Sequence, residues 1–196
     1  MPPAKRRESA VPPPATPEMA AKLAINRTGR LTAGQRRVML WAGLGAALLL
    51  LCPLTLLVQM GVLVASDRVP VVTTAGLIFT VLGLLFVLMF AGLAWANVQM
   101  FVPDAFGRQP VRFARGPLGV HVSEKDRPEL PFSYVIEDYS FAPYVAPDDV
   151  PMRPGAPYLV YYAAHSRLLL SLAALDAPDA AQWAPAFGET EGDKPS

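Results

Sequence analysis

Cysteine and histidine are nearly missing from this chain, which limits the chemistry that its side chains can perform. The 196 residues include one cysteine, Cys52, and two histidines, His121 and His165. A single cysteine excludes an intramolecular disulfide, and neither histidine has a second histidine or a cysteine at metal-ligand spacing. The sequence also lacks a phosphate-binding glycine loop, a dinucleotide fingerprint and a plausible Ser-His-Asp constellation. It therefore predicts no catalytic residue, no metal site, no cofactor and no enzyme activity.

Charged side chains are absent from two long stretches, residues 38–65 and 69–103. A helix needs about 20 apolar residues, at a rise of 1.5 Å each, to cross roughly 30 Å of hydrocarbon. Both stretches exceed that length, so we predict transmembrane helices at about 38–65 and 71–98, within a membrane unit at 33–102. The first stretch is too long, and begins too far from the N-terminus, for a cleaved signal peptide.

Basic residues flank these stretches unevenly and predict their orientation. The link at residues 66–70 is short, so the two helices should form an antiparallel hairpin. Eight Lys and Arg residues precede the first stretch, whereas the link carries Arg68 alone. An excess of basic residues stays on the cytoplasmic side. We therefore predict a bacterial inner-membrane protein with both termini in the cytoplasm and with Trp41 and Trp95 at the cytoplasmic interface.

Proline is frequent and large apolar residues are scarce at the N-terminus, so residues 1–32 are predicted to be a disordered basic tail. Thr16-Pro17-Glu18 offers one start signal for a short helix within this tail. The capping-box pattern from Thr32 to Gln35 predicts that the first membrane helix begins at Ala33. Residues 188–196 are predicted to be a disordered acidic end.

Four arginines near the first membrane helix are candidates for contact with anionic lipid headgroups, although they would also suffice to set the topology alone. They are Arg27, Arg30, Arg36 and Arg37.

Small residues recur at four-residue spacing in both predicted membrane helices, as in helix pairs that approach closely. We predict that they pack the hairpin against itself, with homo-oligomer contacts as the alternative. The candidates are Gly43, Ala47, Gly76, Thr80, Gly92 and Ala96. The two helices carry no ionisable side chain, whereas proton relays and ion paths usually include one. A transporter is therefore not favoured.

The apolar run at residues 158–175 contains His165 and Arg167 near its middle and admits two structures, a third membrane helix or a β-hairpin. As a helix it would be about 27 Å long and would place Arg167 in the hydrocarbon. Apolar and aromatic side chains instead alternate with period two on each side of the break, and residues 164–167 suit a turn. We predict a hairpin.

The residues around this hairpin predict a small antiparallel α+β domain. Residues 111–115 and 120–122 have strand patterns joined by a turn at 116–119. A third strand near 132–141 carries a predicted bulge at Glu137. A C-terminal helix is predicted after residue 179, with Ala180, Trp183, Ala184 and Phe187 on its apolar face.

The order of these elements resembles a known family. The stretches "GPLGVHVSE", "LPFSYVIEDYSF" and "YLVYYAAHSRLLLSLAALDAPDAAQWAPAF" are similar to the YcxB-like family of bacterial membrane proteins, uncharacterised proteins with a two-helix hairpin. The resemblance implies that residues 107–187 form a pleckstrin-homology-like (PH-like) cytoplasmic domain, and it implies no catalytic residues.

Charge predicts the kind of partner. From residue 101 onward the chain carries eight basic and thirteen acidic side chains, which does not favour binding to nucleic acid or flat binding to anionic lipid. We predict a membrane-anchored scaffold or regulatory protein whose partners are the lipid bilayer and another protein. The alternative is an accessory subunit of a larger membrane enzyme or transporter complex.

Overall fold

The chain divides into two compact units. A computed structural model describes residues 12–49, 51–66, 74–122, 131–142 and 152–187. Residues Ala33–Arg108 form one unit, here called the hairpin unit. Residues Met1–Thr32 together with Gln109–Ser196 form the other, here called the sheet unit. The predicted acidic end at 188–196 and the predicted link residues 67–70 lie outside the described residues.

Helices α2 (Ala33–Leu49), α3 (Leu51–Ala65) and α4 (Thr74–Phe106) build the hairpin unit. Two helical stretches are long and apolar enough to cross a membrane. The first, Ala33–Gln59, comprises α2 and part of α3, and the second, Thr80–Phe106, lies within α4. The first helix begins directly after Thr32, as the capping pattern predicts. The second continues beyond its predicted end at residue 98 and includes Pro103.

Large apolar side chains cover the outside of the hairpin unit, as expected for helices surrounded by lipid. Trp41 is 67% exposed and Trp95 is 65% exposed. Inside the unit α2 packs on α4, and a Cβ atom built on Gly43 would lie 3.1 Å from a methyl of Val102. Length, composition and exposure together agree with the two predicted membrane helices.

Six strands in two antiparallel sheets build the described part of the sheet unit. The first sheet has the order β1-β5-β6 and the second the order β2-β3-β4. The strands are β1 (Val111–Pro117), β2 (Gly119–Val122), β3 (Pro131–Ile136), β4 (Tyr139–Phe141), β5 (Pro157–Ala163) and β6 (Leu169–Ala174). Although β1 and β2 adjoin in sequence, they belong to different sheets, because the chain changes direction at Leu118, whose N–H and C=O bond to Ala156 and Gly155.

Residues 158–175 form the β5–β6 hairpin, so the predicted hairpin is confirmed. Register runs from Tyr158 opposite Ala174 to Tyr162 opposite Leu169. The Arg167 N–H donates to the carbonyl of Ala163 across the turn. Arg167 has a φ of +52°, a left-handed conformation that only a few per cent of non-glycine residues adopt.

Both faces of this hairpin are covered, which explains why its sequence looks like a membrane span. Val160 and Leu172 face a core that includes Ile136 and Phe141 of the second sheet. Tyr161 and the neighbouring Ser171 are buried on the opposite face. Strands buried on both faces have nearly continuous apolar sequences instead of a clear alternation.

The predicted bulge at Glu137 is instead a tight turn between two strands. Ile136 pairs with Tyr139, and Glu137 takes a φ of +51° between them. The turn returns the chain so that Tyr139 and Phe141 enter the same core as Ile136. An uninterrupted strand would have left those two rings on the other face.

The predicted C-terminal helix is reduced to a four-residue 3-10 helix, Ala180–Trp183. Pro185 follows closely and cannot donate the backbone hydrogen bond that a longer helix requires. Trp183 is nevertheless buried as predicted.

The expectation of disorder does not hold for part of the N-terminal tail. Residues Pro17–Asn26 form helix α1, and the Thr16 hydroxyl caps it by accepting a hydrogen bond from the Met19 N–H at 3.3 Å. The composition of the whole tail hides this segment, because the residues that α1 buries, Met19, Leu23 and Asn26, are few but lie on one helical face. Residues 1–11 lie outside the described residues.

Candidate functional site

Helix α1 docks on β6 and provides the outer layer of the first sheet. Met19, Leu23 and Asn26 are buried on one face of α1, at the i, i+4, i+7 spacing of an amphipathic helix. Since α1 precedes the membrane helices and β6 follows them, the sheet unit is completed by residues from both flanks of the hairpin unit.

A buried polar contact fixes the position of α1. The Ser171 hydroxyl donates to the Asn26 Oδ1 at 2.8 Å, and the Asn26 Nδ2 donates to the carbonyl of Arg30 at 2.9 Å. Asn26 and Ser171 are both fully buried. Buried polar groups without partners are unfavourable, so this pairing favours one register of α1 on the strand.

The turn after α1 is held by the C-terminal segment. The Arg27 guanidinium donates to the carbonyl of Gln182 at 2.5 Å, and the Ala186 N–H donates to the carbonyl of Arg27 at 2.8 Å. Gly29 has a φ of +78°, and a Cβ there would lie 3.5 Å from the Phe187 ring. A glycine suits both the left-handed backbone and the close ring.

Asp179 joins the residues before α1 to the 3-10 helix. Its Oδ2 accepts from the Ala15 N–H at 3.0 Å and from the Trp183 Nε1–H at 2.9 Å. Burial acts to raise the pKa of Asp179, but these hydrogen bonds to the carboxylate outweigh burial and hold the pKa below its ordinary value. The carboxylate therefore contributes to docking in its ionised form.

Two tyrosine hydroxyls donate hydrogen bonds to backbone carbonyls within the sheet unit. Tyr161 donates to the carbonyl of Trp183 at 2.7 Å, and Tyr139 donates to the carbonyl of Arg167 at 2.8 Å. Burial raises the pKa of Tyr161 to about 12, against the opposing charges of Arg27 and Arg115. Burial, and then the nearby Tyr162, also raise the pKa of Tyr139. These phenols are structural hydrogen-bond donors.

The four arginines predicted to contact lipid fall into two groups. Arg27 is half-buried and bonded to the C-terminal segment of the sheet unit, and Arg30 is exposed in the same unit. Arg36 and Arg37 are exposed in the first turn of α2 in the hairpin unit. Arg27 thus has a structural partner that the charge pattern alone could not reveal.

The small residues predicted to pack the hairpin fall into a group with buried or half-buried positions and a group with exposed positions. Gly43 is buried against α4, and Ala47 is half-buried. Thr80, Gly92 and Ala96 are exposed, and a Cβ atom placed on Gly92 would have no neighbouring atom within 4 Å in the described residues. Packing of Gly92 against its own hairpin, or against a second copy of the chain, therefore stays a prediction. Gly76 lies in α4, and the prediction for its packing lies outside what the structure describes.

An apolar groove of about 340 Å³ lies between α3 and α4 in the hairpin unit, where these helices pack less closely than α2 and α4. Pro53, Leu57, Gly83 and Phe86 are among its lining residues. The lining residues that the structure describes carry no ionisable group.

His121 and His165 are both exposed. Within the described ranges no group of three or more His, Cys, Asp or Glu side chains could hold a metal ion. The residues that organise the sheet unit, Asn26 and Ser171, carry no motif. The only sequence signal for them is the helical spacing from Met19 to Asn26, which places a polar residue on an apolar face.

Comparisons with protein-family models, with curated proteins and with solved structures find no match to this chain. Its function is therefore inferred from its own architecture.

Proposed function

We propose that this chain is a membrane-anchored scaffold or regulatory protein of the bacterial inner membrane that acts without catalysis through protein contacts of its cytoplasmic sheet unit. The observation that carries the proposal is the docking of α1 on β6. It makes one folded body from both flanks of an apolar hairpin, which is the arrangement expected when a hairpin serves as an anchor.

The same docking supports a common location for both flanks. Segments that pack together must lie on one side of a membrane, so the intervening residues must cross it an even number of times. Two helices of sufficient length agree with this requirement. The excess of basic residues before α2 favours the cytoplasm as that side.

We further propose that the sheet unit is PH-like and that the chain is YcxB-like. Two small antiparallel sheets with one shared core support the first part of this proposal. The chain departs from the expected pattern at its end, where a 3-10 helix replaces the longer C-terminal helix and α1 covers the sheet instead.

The surface of the sheet unit supports regulated rather than permanent contacts. Among its described residues, the large apolar side chains that are exposed are Ile25, at 40%, and Leu175, at 36%. Permanent interfaces are more apolar than this, whereas transient partners meet polar surfaces.

Exchange of the membrane helices tests the proposal against the alternative of an accessory subunit. Residues 33–108 are replaced by an unrelated two-helix hairpin of the same topology, and both proteins are purified in mild detergent. Partner proteins that remain bound after the exchange support a scaffold that acts through the sheet unit. Loss of a stoichiometric larger complex would instead support an accessory subunit that docks through its membrane helices.

A further inference from the structure

An aromatic cluster lies on the face of the first sheet where the described chain ends. Phe113 of β1 packs edge-on against Phe187, with ring centres 5.6 Å apart, and both residues are half-buried. Tyr161, which is opposite Phe113 in register, lies 6.4 Å from each of these rings. Phe187 is the last residue that the structure describes, so the chain leaves the described fold from within this cluster.

Two arginines carry positive charge at the same place. The guanidinium carbon of Arg115 lies 5.6 Å from the centre of the Phe113 ring, within the range of a cation–π contact, and the residue is exposed. Arg27 donates to the carbonyl of Gln182 at 2.5 Å. Both arginines oppose the rise in the pKa of Tyr161, so the positive fields of both reach one phenol.

Glu137 brings one carboxylate to this surface, where its Oε2 accepts from the backbone N–H of Arg115 at 3.2 Å. The surface, here called the arginine surface, consists of Arg27, Phe113, Arg115 and Phe187. Two guanidinium groups face that single carboxylate. Positive charge therefore prevails here, although acidic side chains outnumber basic ones from residue 101 onward.

The residues that follow Phe187 have the opposite charge. Residues 188–196 carry three carboxylates and one ammonium group, which belong to Glu189, Glu191, Asp193 and Lys194. The Arg115 guanidinium lies no further from the Phe187 ring than the sum of the two distances through Phe113. Two extended residues span up to about 7 Å, so the first two carboxylates can reach this guanidinium.

We propose that residues 188–196 bind the arginine surface through their carboxylates and cover it against acidic segments of other proteins. A guanidinium group forms two parallel hydrogen bonds with a carboxylate, and the rings of Phe113 and Phe187 supply apolar contact beside it. An acidic partner would then bind only by displacing the chain's own segment. This inference goes beyond the proposed function and holds equally for a scaffold and for an accessory subunit.

Spin labelling tests the contact in the full chain in detergent. A nitroxide is attached at Thr190→Cys in a Cys52→Ala background, and its spectrum reports the mobility of the label on the nanosecond scale. We expect a slow spectral component at low salt that is lost in about 1 M salt, where charges are screened beyond about 3 Å. Equal mobility at both salt concentrations would contradict the proposal.

Charge-removing variants identify the groups in contact. Arg115→Gln and, separately, the double variant Glu189→Gln/Glu191→Gln should each lose the slow component, whereas Arg115→Lys should retain most of it. Arg167→Gln is the matched control, because Arg167 is exposed in the turn after β5, whereas Arg115 lies opposite Leu159 near the start of β5. Hydrogen exchange of the β5 amides verifies that each variant is folded. Retention of the slow component in either charge-removing variant, or its equal loss in Arg167→Gln, would overturn the assignment.

A synthetic peptide of residues 188–196 tests whether the surface is covered. Its affinity is measured by fluorescence anisotropy for the intact chain and for a variant that ends at Phe187. We expect about fivefold tighter binding to the shortened chain, because a short tether holds the chain's own segment at a millimolar effective concentration. Equal affinities, or binding that Arg115→Gln does not weaken, would show that the chain's own segment does not cover the arginine surface.

Discussion

The carboxamide of Asn26 lies between the hydroxyl of Ser171 and the carbonyl of Arg30, with hydrogen bonds of 2.8 and 2.9 Å. Leu23, one turn earlier, buries apolar surface but does not fix where α1 lies along β6. The Asn26 amide does fix that position, because moving α1 along the strand would separate both hydrogen-bonded pairs of atoms. A single polar side chain thus selects one docked position from several that would bury similar apolar area.

Replacement of Asn26 should weaken the docking of α1. We expect Asn26→Ala to lower the free energy of opening of the sheet unit by about 1–3 kcal/mol, because Ser171 would lose its acceptor and Arg30 its donor inside the fold. Hydrogen exchange of the β5 amides in detergent measures that free energy. Ser171→Ala completes a double-mutant cycle, and strictly additive effects would contradict a direct Asn26–Ser171 contact.

Asp179 predicts how acid affects the sheet unit. Its folded pKa lies below its ordinary value of 3.8, so its contribution to stability is present above that pH and is lost as pH falls through the lower folded pKa. We expect the midpoint of thermal unfolding to fall more steeply in this acidic range for the native chain than for Asp179→Asn. Parallel curves for the two proteins would remove Asp179 as an ionised link to Ala15 and Trp183.

Helix α1 is an element whose stability depends on tertiary contact. Leu23 is fully buried, whereas Ile25 on the same helix is 40% exposed. We expect Leu23→Ala to destabilise the sheet unit by about 2–5 kcal/mol through the cavity that it leaves, and Ile25→Ala to have a much smaller effect. Hydrogen exchange compares the two variants, and equal effects would mean that α1 is not docked by its Leu23 face.

Helices α2 and α4 offer a matched pair of glycines. Gly43 lies against Val102, while the surroundings of Gly92 are open. We expect Gly43→Leu to lower the thermal midpoint of the hairpin unit in detergent, since the new side chain would enter space that α4 occupies. Gly92→Leu should leave the midpoint nearly unchanged. A larger effect at Gly92 would indicate that its exposed face packs against a second copy of the chain.

The whole molecule carries a topological prediction, because α1 and β6 pack together from opposite sides of the hairpin in the chain. Single thiols are introduced by Lys22→Cys, Ser140→Cys and Ser66→Cys, each in a Cys52→Ala background. We expect a membrane-impermeant maleimide to label Ser66→Cys in intact cells and to label the other two only after the membrane is broken.

The thiols of Lys22→Cys and Ser140→Cys, one on each flank of the hairpin unit, serve as controls for each other. Labelling of both in intact cells would place the sheet unit outside the cytoplasm. If they differed from one another, α1 and the strands would lie on opposite sides, and the assembled sheet unit would be wrong.

Several elements were predictable because their signals are local. The absence of charge over two long stretches predicts the membrane helices, and the aromatic and β-branched residues before the turn at 164–167, together with that turn, predict β5 and β6 despite their high hydrophobicity. Thr32 marks the start of α2. Glu137 was harder to interpret, since a bulge and a two-residue turn change the face of the following side chains in similar ways.

The sequence by itself determined the division into apolar helices and short strands, because hydropathy and alternation act over neighbouring residues. Only the tertiary structure decided that α1 covers β6, that β1 and β2 enter different sheets, and that Arg27 hydrogen-bonds to the C-terminal segment of the sheet unit. These outcomes depend on contacts between residues far apart in the chain, such as the 145 residues that separate Asn26 from Ser171. No local pattern encodes that distance. The apolar face of the β5–β6 hairpin required a covering layer, and the helix that supplies it lies on the other side of the membrane segment in the sequence.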